Sequence, residues 1–280
     1  MSSSQTEVLL DGLTFPEGPR WHDGKLWFSD FYSHRVLTVD LQGRAETVAE
    51  VAQQPSGLGW TPDGTLLVVS MLDRRLLQID DDGKQRVVAD LSALAGGPCN
   101  DMVVDAKGRA YIGNFGSEDG ERPPTVMIRV DPDGATSVAA DDLAFPNGTG
   151  ISADGRVLVV AETYAGRLTA FDVADDGSLA NRRTFARIER CFPDGICLDA
   201  EGAIWVADAG GNRLVRALEG GRIERTISVG ERTAYACVLG GPERRTLFVC
   251  TCTGSGAHAA QNKDGRIETI NVDVPGAGLP

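Results

Sequence analysis

The chain has 280 residues, 42% of them hydrophobic and 24% charged, enough apolar side chain for a sizeable core and too much for global disorder. Its net charge of −13 at pH 7 argues against nucleic acid and anionic membrane surfaces as partners. No run approaches the ~20 apolar residues of a membrane helix, and residues 1–7 lack the basic and apolar regions of a secretory signal, so a cytoplasmic protein is expected.

From the N-terminus, residues 6–10 (Thr-Glu-Val-Leu-Leu) read as a strand resembling the later stretch at 45–49. Phe15-Pro16-Glu17-Gly18 follows, then Trp21 four residues after Glu17, a polar Asp23-Gly24 turn and a β-rich run. The same phrase returns at Ser56 with Trp60 and Asp63-Gly64, and at Asn100 with Val104 and Asp105. It comes back nearly whole in Phe145-Pro146-Asn147-Gly148 and Phe192-Pro193-Asp194-Gly195, and in degenerate form at Tyr235. Later in each unit, stretches such as 34–40, 74–80, 166–172 and 212–216 alternate apolar and polar residues, as half-buried strands do.

The six equivalent positions, 17, 56, 100, 147, 194 and 235, are 39, 44, 47, 47 and 41 residues apart. Self-similarity at this period, with four short strands per unit, predicts an all-β protein: a six-bladed β-propeller of four-stranded antiparallel blades. The units fill residues 1–280, which are expected to form a single domain. The last unit ends near residue 272 without an outer strand, and pairing it with the N-terminal strand would close the ring and remove open edges.

In such a ring the six equivalent positions surround one end of the central channel. The ends of the second strands, Asp30, Ser70, Asn114, Glu162, Asp208 and Thr251, fall on the same face as a wider polar ring, and the Asp-Gly turns fall on the other. Glu17, Asn147 and Asp194 would offer three oxygen donors and a charge of −2, suited to a hard divalent cation. A tight-turn role is the alternative for each copy taken alone. The six cysteines form no C-x-x-C pair and read as reduced, buried small hydrophobes. His22, His34 and His258 fall away from the ring of equivalent positions, so no Ser-His-Asp arrangement is expected.

The motifs at 15–21, 146–148 and 193–205 resemble the SMP-30/gluconolactonase/regucalcin family, over essentially the whole chain. That resemblance implies a lactone hydrolase holding one divalent ion, Ca²⁺ in first place with Mg²⁺, Mn²⁺ or Zn²⁺ as alternatives, on Glu17, Asn147 and Asp194. It implies Asp194 as the general base and Asn100 as a substrate contact. The loop 116–124 matches a substrate-covering lid, with Glu118 and Arg122 as further contacts. Sugar-lactone members of the regucalcin type carry an arginine two positions before Asn100, where this chain has Pro98. The expected partner is a small-molecule lactone, with the protein a monomer or small homo-oligomer. Two alternatives stand beside this reading. One is a strictosidine-synthase-like propeller with non-hydrolytic chemistry, suggested by Ala161-Glu162-Thr163. The other is a non-catalytic calcium-binding propeller.

Overall fold

Six sheets, each of four antiparallel strands, follow one another along the chain in a computed structural model that describes residues 5–279. Residues 1–4, part of the N-terminal stretch without signal character, lie outside the described residues. The innermost strands are Pro16–His22, Pro55–Trp60, Cys99–Val104, Pro146–Ile151, Pro193–Leu198 and Thr233–Gly240, here the first strands of blades 1 to 6. Each blade then runs outward strand by strand. In the last blade the outer place is taken by Glu7–Leu13, which pairs with Gly265–Asn271. The ring is therefore closed by the N-terminal strand, as the repeat pattern predicts.

Burial grades outward as propeller geometry demands. Pro146–Ile151 is buried along its whole length, whereas the outer Ala45–Glu50 is exposed at most positions. The core lies between neighbouring blades: Val159 and Leu168 of blade 4 pack with Ile196 and Val206 of blade 5. All six cysteines are free and buried within these layers.

Every innermost strand carries one extra residue at or just after the repeated position. Pro16 pairs with Asp30 and Arg20 with Trp27; the same slip separates Pro55 from Leu58, Cys99 from Met102, Pro146 from Thr149, Pro193 from Ile196 and Ala234 from Ala236. A bulge of this kind bends the strand and re-aims the side chain beside it. The glycine that follows the repeated residue is explained by close packing. A Cβ on Gly18 would lie 3.0 Å from the Ser56 carbonyl, and one on Gly195 2.5 Å from Ala236 Cα.

Two further segments add to the propeller. On the far face, residues 275–279 run under blades 4 to 6: Ala200 N donates to the Pro275 carbonyl (2.8 Å), Ala277 N to Leu198 O (3.1 Å), and Leu279 and Ile151 exchange backbone hydrogen bonds of 2.9 and 2.7 Å. On the near face, a short helix, Ala257–Asn262, docks on the turn Phe31–Ser33, where Gly256 N donates to the Tyr32 hydroxyl at 2.9 Å. Nothing in the repeat pattern signals either. Among the described residues no helix is long and apolar enough to cross a membrane.

Candidate active site

The bulges bring the repeated positions of neighbouring blades into a hydrogen-bonded arc. Ser29 Oγ donates to the Ser56 carbonyl (2.6 Å), and Ser56 Oγ to Asn100 Oδ1 (3.2 Å). Asn100 Nδ2 donates to Asn147 Oδ1 (2.8 Å), Asn147 Nδ2 to Thr163 Oγ1 (3.2 Å), and Thr163 Oγ1 to the Pro193 carbonyl (2.8 Å). The arc runs from blade 1 to blade 5 and fixes both ends of the Asn147 amide. Ser56, Asn100, Asn147 and Asp194 are all buried; Glu17 keeps partial exposure.

Electrostatics set this cluster apart from the other acidic groups. Burial pushes the Glu17 carboxyl up to about 8, the Gly18 N–H opposing it, Asp101 adding to it and Arg20 easing it. Burial also holds Asp194 well above the usual aspartate range, and repulsion from Glu17 and Asp101 adds to this, while Asn147 and the Gly195 N–H oppose it. Glu17 and Asp194 thus compete for the same field, as like-charged buried carboxylates do.

Arg20 and Asp101 are the members of this neighbourhood that the repeat pattern misses. Arg20 Nη2 donates to Asp101 Oδ1 at 2.8 Å, Nε to Leu58 O at 3.1 Å and Nη1 to Pro19 O at 2.8 Å, and the guanidinium also bonds the Met102 carbonyl. It is 5% exposed and ties blades 1, 2 and 3 together beneath the carboxylates. A signal was available: Arg20 and Asp101 follow repeated positions by three and one residues, where charged side chains have no reason to face a propeller core unless they meet each other.

The second polar ring has a structural task. Asp30 Oδ1 accepts from Thr14 N (2.9 Å) and Phe15 N (2.7 Å), Glu162 Oε2 from Ala144 N (2.9 Å), and Asp208 Oδ1 from Phe192 N (3.0 Å). Each carboxylate, fully buried, anchors the backbone entering a Phe-Pro-x-Gly segment of its own blade. Those segments are thereby held at a fixed height on the channel.

Aromatic side chains surround the mouth. Phe15 packs on Tyr235 (4.6 Å between centroids), Phe31 and Tyr32. Phe145 packs on Phe115 (4.4 Å) and Tyr164 (4.9 Å). In the loop 116–124, Glu118 pairs with Arg74 at 3.1 Å with its side chain 68% exposed, and the Arg122 guanidinium stacks over Tyr164 at 4.3 Å. The structure thus gathers Glu17, Asn100, Asn147 and Asp194 at the channel, and engages Glu118 and Arg122 with neighbouring blades instead. His22 stacks on Trp60 at 4.0 Å, and the exposed His258 hydrogen-bonds Thr253.

Among the described residues no group of three or more His, Cys, Asp or Glu side chains is arranged to hold a metal. The candidate donor set is two carboxylates and an amide oxygen, all hard. Two mutually repelling carboxylates with one neutral acceptor form a site that a divalent cation would neutralise, so the residues present fit such an ion.

Residues 15–253 match the family model described as "SMP-30/Gluconolactonase/LRE-like region". The chain is 26% identical to the pentonolactonase XacC of Haloferax volcanii, covering 98% of this chain and 96% of that protein. It is 30% identical to regucalcin of Oryctolagus cuniculus, covering 91% and 89%. Among solved structures it is similar to a calcium-binding protein, regucalcin, from Agrobacterium tumefaciens, with a TM-score of 0.83, 23% identity and coverage of 98% and 96%.

Proposed function

The chain belongs to the SMP-30/gluconolactonase/LRE-like family, and from that premise we propose that it is a divalent-metal-dependent hydrolase of lactones of the sugar-lactone kind. The observation that carries this reading is positional. Glu17, Asn147 and Asp194 occupy the same place, the second residue of an innermost strand at its bulge, in three blades of one ring. The pentonolactonase relative supports the substrate class.

Glu17, Asn147 and Asp194 would hold the cation, with Ca²⁺ first among hard ions and Mg²⁺, Mn²⁺ or Zn²⁺ as alternatives. When bound, the ion supplies Lewis-acid polarisation of an ester carbonyl and lowers the pKa of adjacent water. The remaining work belongs to the chain. Asp194 takes a proton from the attacking water as its oxygen bonds to the lactone carbonyl carbon. The ring C–O bond then breaks, and the departing alkoxide takes the proton back from Asp194, giving the open hydroxy acid. Asn100 orients Asn147 and faces substrate beside it. Thr163 and Pro193 hold the other end of that amide, so the donors need little reorganisation during the reaction. Glu118 and Arg122 would reach substrate only from the loop above.

The buried, reduced cysteines suit the cytoplasm, and residues 1–280 are read as one propeller domain acting as a monomer or small homo-oligomer. The Ala161-Glu162-Thr163 string that suggests non-hydrolytic chemistry has a structural use, since Glu162 is fully buried and bonds Ala144 N and Arg167. Proton release from D-glucono-δ-lactone and pentonolactones in weakly buffered solution tests the function. One proton per ring opened, faster than the spontaneous rate, is expected; rates equal to the blank for every lactone would refute it.

A further inference from the structure

A cavity of about 360 Å³ opens between the upper loops of blades 4 and 5, with Thr163, Tyr164, Ala165, Ile188, Cys191 and Phe192 in its wall. Two of these residues tie it to the candidate active site. Thr163 Oγ1 accepts from Asn147 Nδ2, and Phe192 stands two residues before Asp194. Its buried side chains offer little to a hydroxylated ligand. The Thr163 hydroxyl is already committed to Asn147 and Pro193, and Cys191 is a buried thiol and a weak partner. Among the described residues, the buried side-chain atoms without a partner, on Asp73, Arg74, Arg129, Trp205 and Arg244, all belong to other parts of the fold. Arg187, Glu189 and Arg190 also line the cavity, with exposed side chains.

The threefold motif makes the same point by contrast. Phe15 and Phe145 are 6% and 7% exposed, each packed on other rings, whereas Phe192 is 46% exposed and makes no ring contact among the described residues. An exposed phenyl ring two residues before Asp194, in the wall of a cavity whose buried side chains are mostly apolar, is surface fit for an apolar ligand group.

We infer that this cavity is a specificity subsite seating an alkyl or aryl substituent of the lactone ring, with Tyr164 and Phe192 as its aromatic surfaces. The inference rests on the lactonase reading and adds to it: the favoured substrate carries an apolar substituent on its lactone ring.

The test compares kcat/KM for γ-butyrolactone, γ-nonalactone and D-glucono-δ-lactone on the cation-supplied full chain. The pentyl-bearing γ-nonalactone should exceed γ-butyrolactone by about two- to fourfold per methylene seated. Ala165→Trp, which fills the cavity from its rim, should bring that ratio towards one, and Phe192→Ala should lower it several-fold; because the readout is a ratio, a general loss of activity does not imitate the effect. Equal kcat/KM for the two γ-lactones, or a ratio untouched by both substitutions, overturns the subsite while leaving the lactonase reading intact. Hydrolysis of none of the three overturns both.

Discussion

Asn100 Nδ2 donates to Asn147 Oδ1 at 2.8 Å across the boundary between blades 3 and 4, joining residues 47 positions apart. With Thr163 Oγ1 on the other end of the same amide, Asn147 has one orientation that satisfies both partners, and its oxygen keeps a second lone pair for a ligand. Partners of this kind tune a ligand without touching what it holds. Asn100→Leu is therefore expected to weaken divalent-cation binding by about 10- to 100-fold, read by isothermal titration of Ca²⁺ into chelator-treated protein. Unchanged affinity would show that Asn147 needs no such support.

Asp194 carries the proton in the proposed reaction. Asp194→Asn should lower kcat by about 10²- to 10⁴-fold while raising the melting temperature of the metal-free protein. The rise follows because the amide removes a carboxyl whose ionisation burial first, then Glu17 and Asp101, oppose. A variant that is both inactive and less stable would mean that Asp194 acts mainly as a structural group.

Glu17 gives the metal-free protein a pH dependence of defined sign. Its carboxyl is raised from an ordinary 4.5 to about 8 by burial first of all, so folding takes up a proton between those values. The stabilisation is fully present below about pH 4.5 and is lost as pH rises through about 8. In chelator, the melting temperature should fall over that interval, and Glu17→Gln should flatten the fall. Binding of a cation near pH 7 should expel the proton, which titrations in buffers of different ionisation enthalpy would detect.

Glu162 predicts the opposite limb. Burial would raise its carboxyl, but Arg167, Thr169 and the Ala144 N–H hold it below the usual glutamate range. Its stabilisation is therefore present above about 4.5 and is lost as pH falls below it. Glu162→Gln, which leaves Arg167 without its buried partner, should cost about 3 kcal/mol at pH 7 and make acid unfolding less steep. Denaturant melts at pH 7 and pH 4 measure both effects.

The ring and its closure were legible because a propeller repeats one unit, and Phe-Pro-x-Gly marks the same point of that unit three times. That Glu17, Asn147 and Asp194 occupy equivalent places in three blades was legible for the same reason. What the pattern could not carry is whatever breaks the repeat. The strap at residues 275–279 and the helix Ala257–Asn262 occur once each. The Arg20–Asp101 pair joins positions 81 apart on different blades, and no local periodicity connects them. The wider polar ring was legible as polar, but its use as a set of anchors for Thr14, Phe15, Ala144 and Phe192 depends on which backbone N–H groups the folded loops leave unpaired. The exposure of Phe192 likewise depends on what blades 4 and 5 fail to pack against it, which the identical motif at Phe15 and Phe145 does not foretell.

A cation site on Glu17, Asn147 and Asp194 that lactone hydrolysis requires is tested by the rate of D-glucono-δ-lactone and γ-nonalactone opening by EDTA-stripped protein, before and after addition of Ca²⁺ or Mn²⁺. Rates should sit at the uncatalysed level after stripping, and the ion should restore them in the native chain and not in Asn147→Leu. Full activity in the stripped protein, or restoration in Asn147→Leu equal to the native chain, would contradict it.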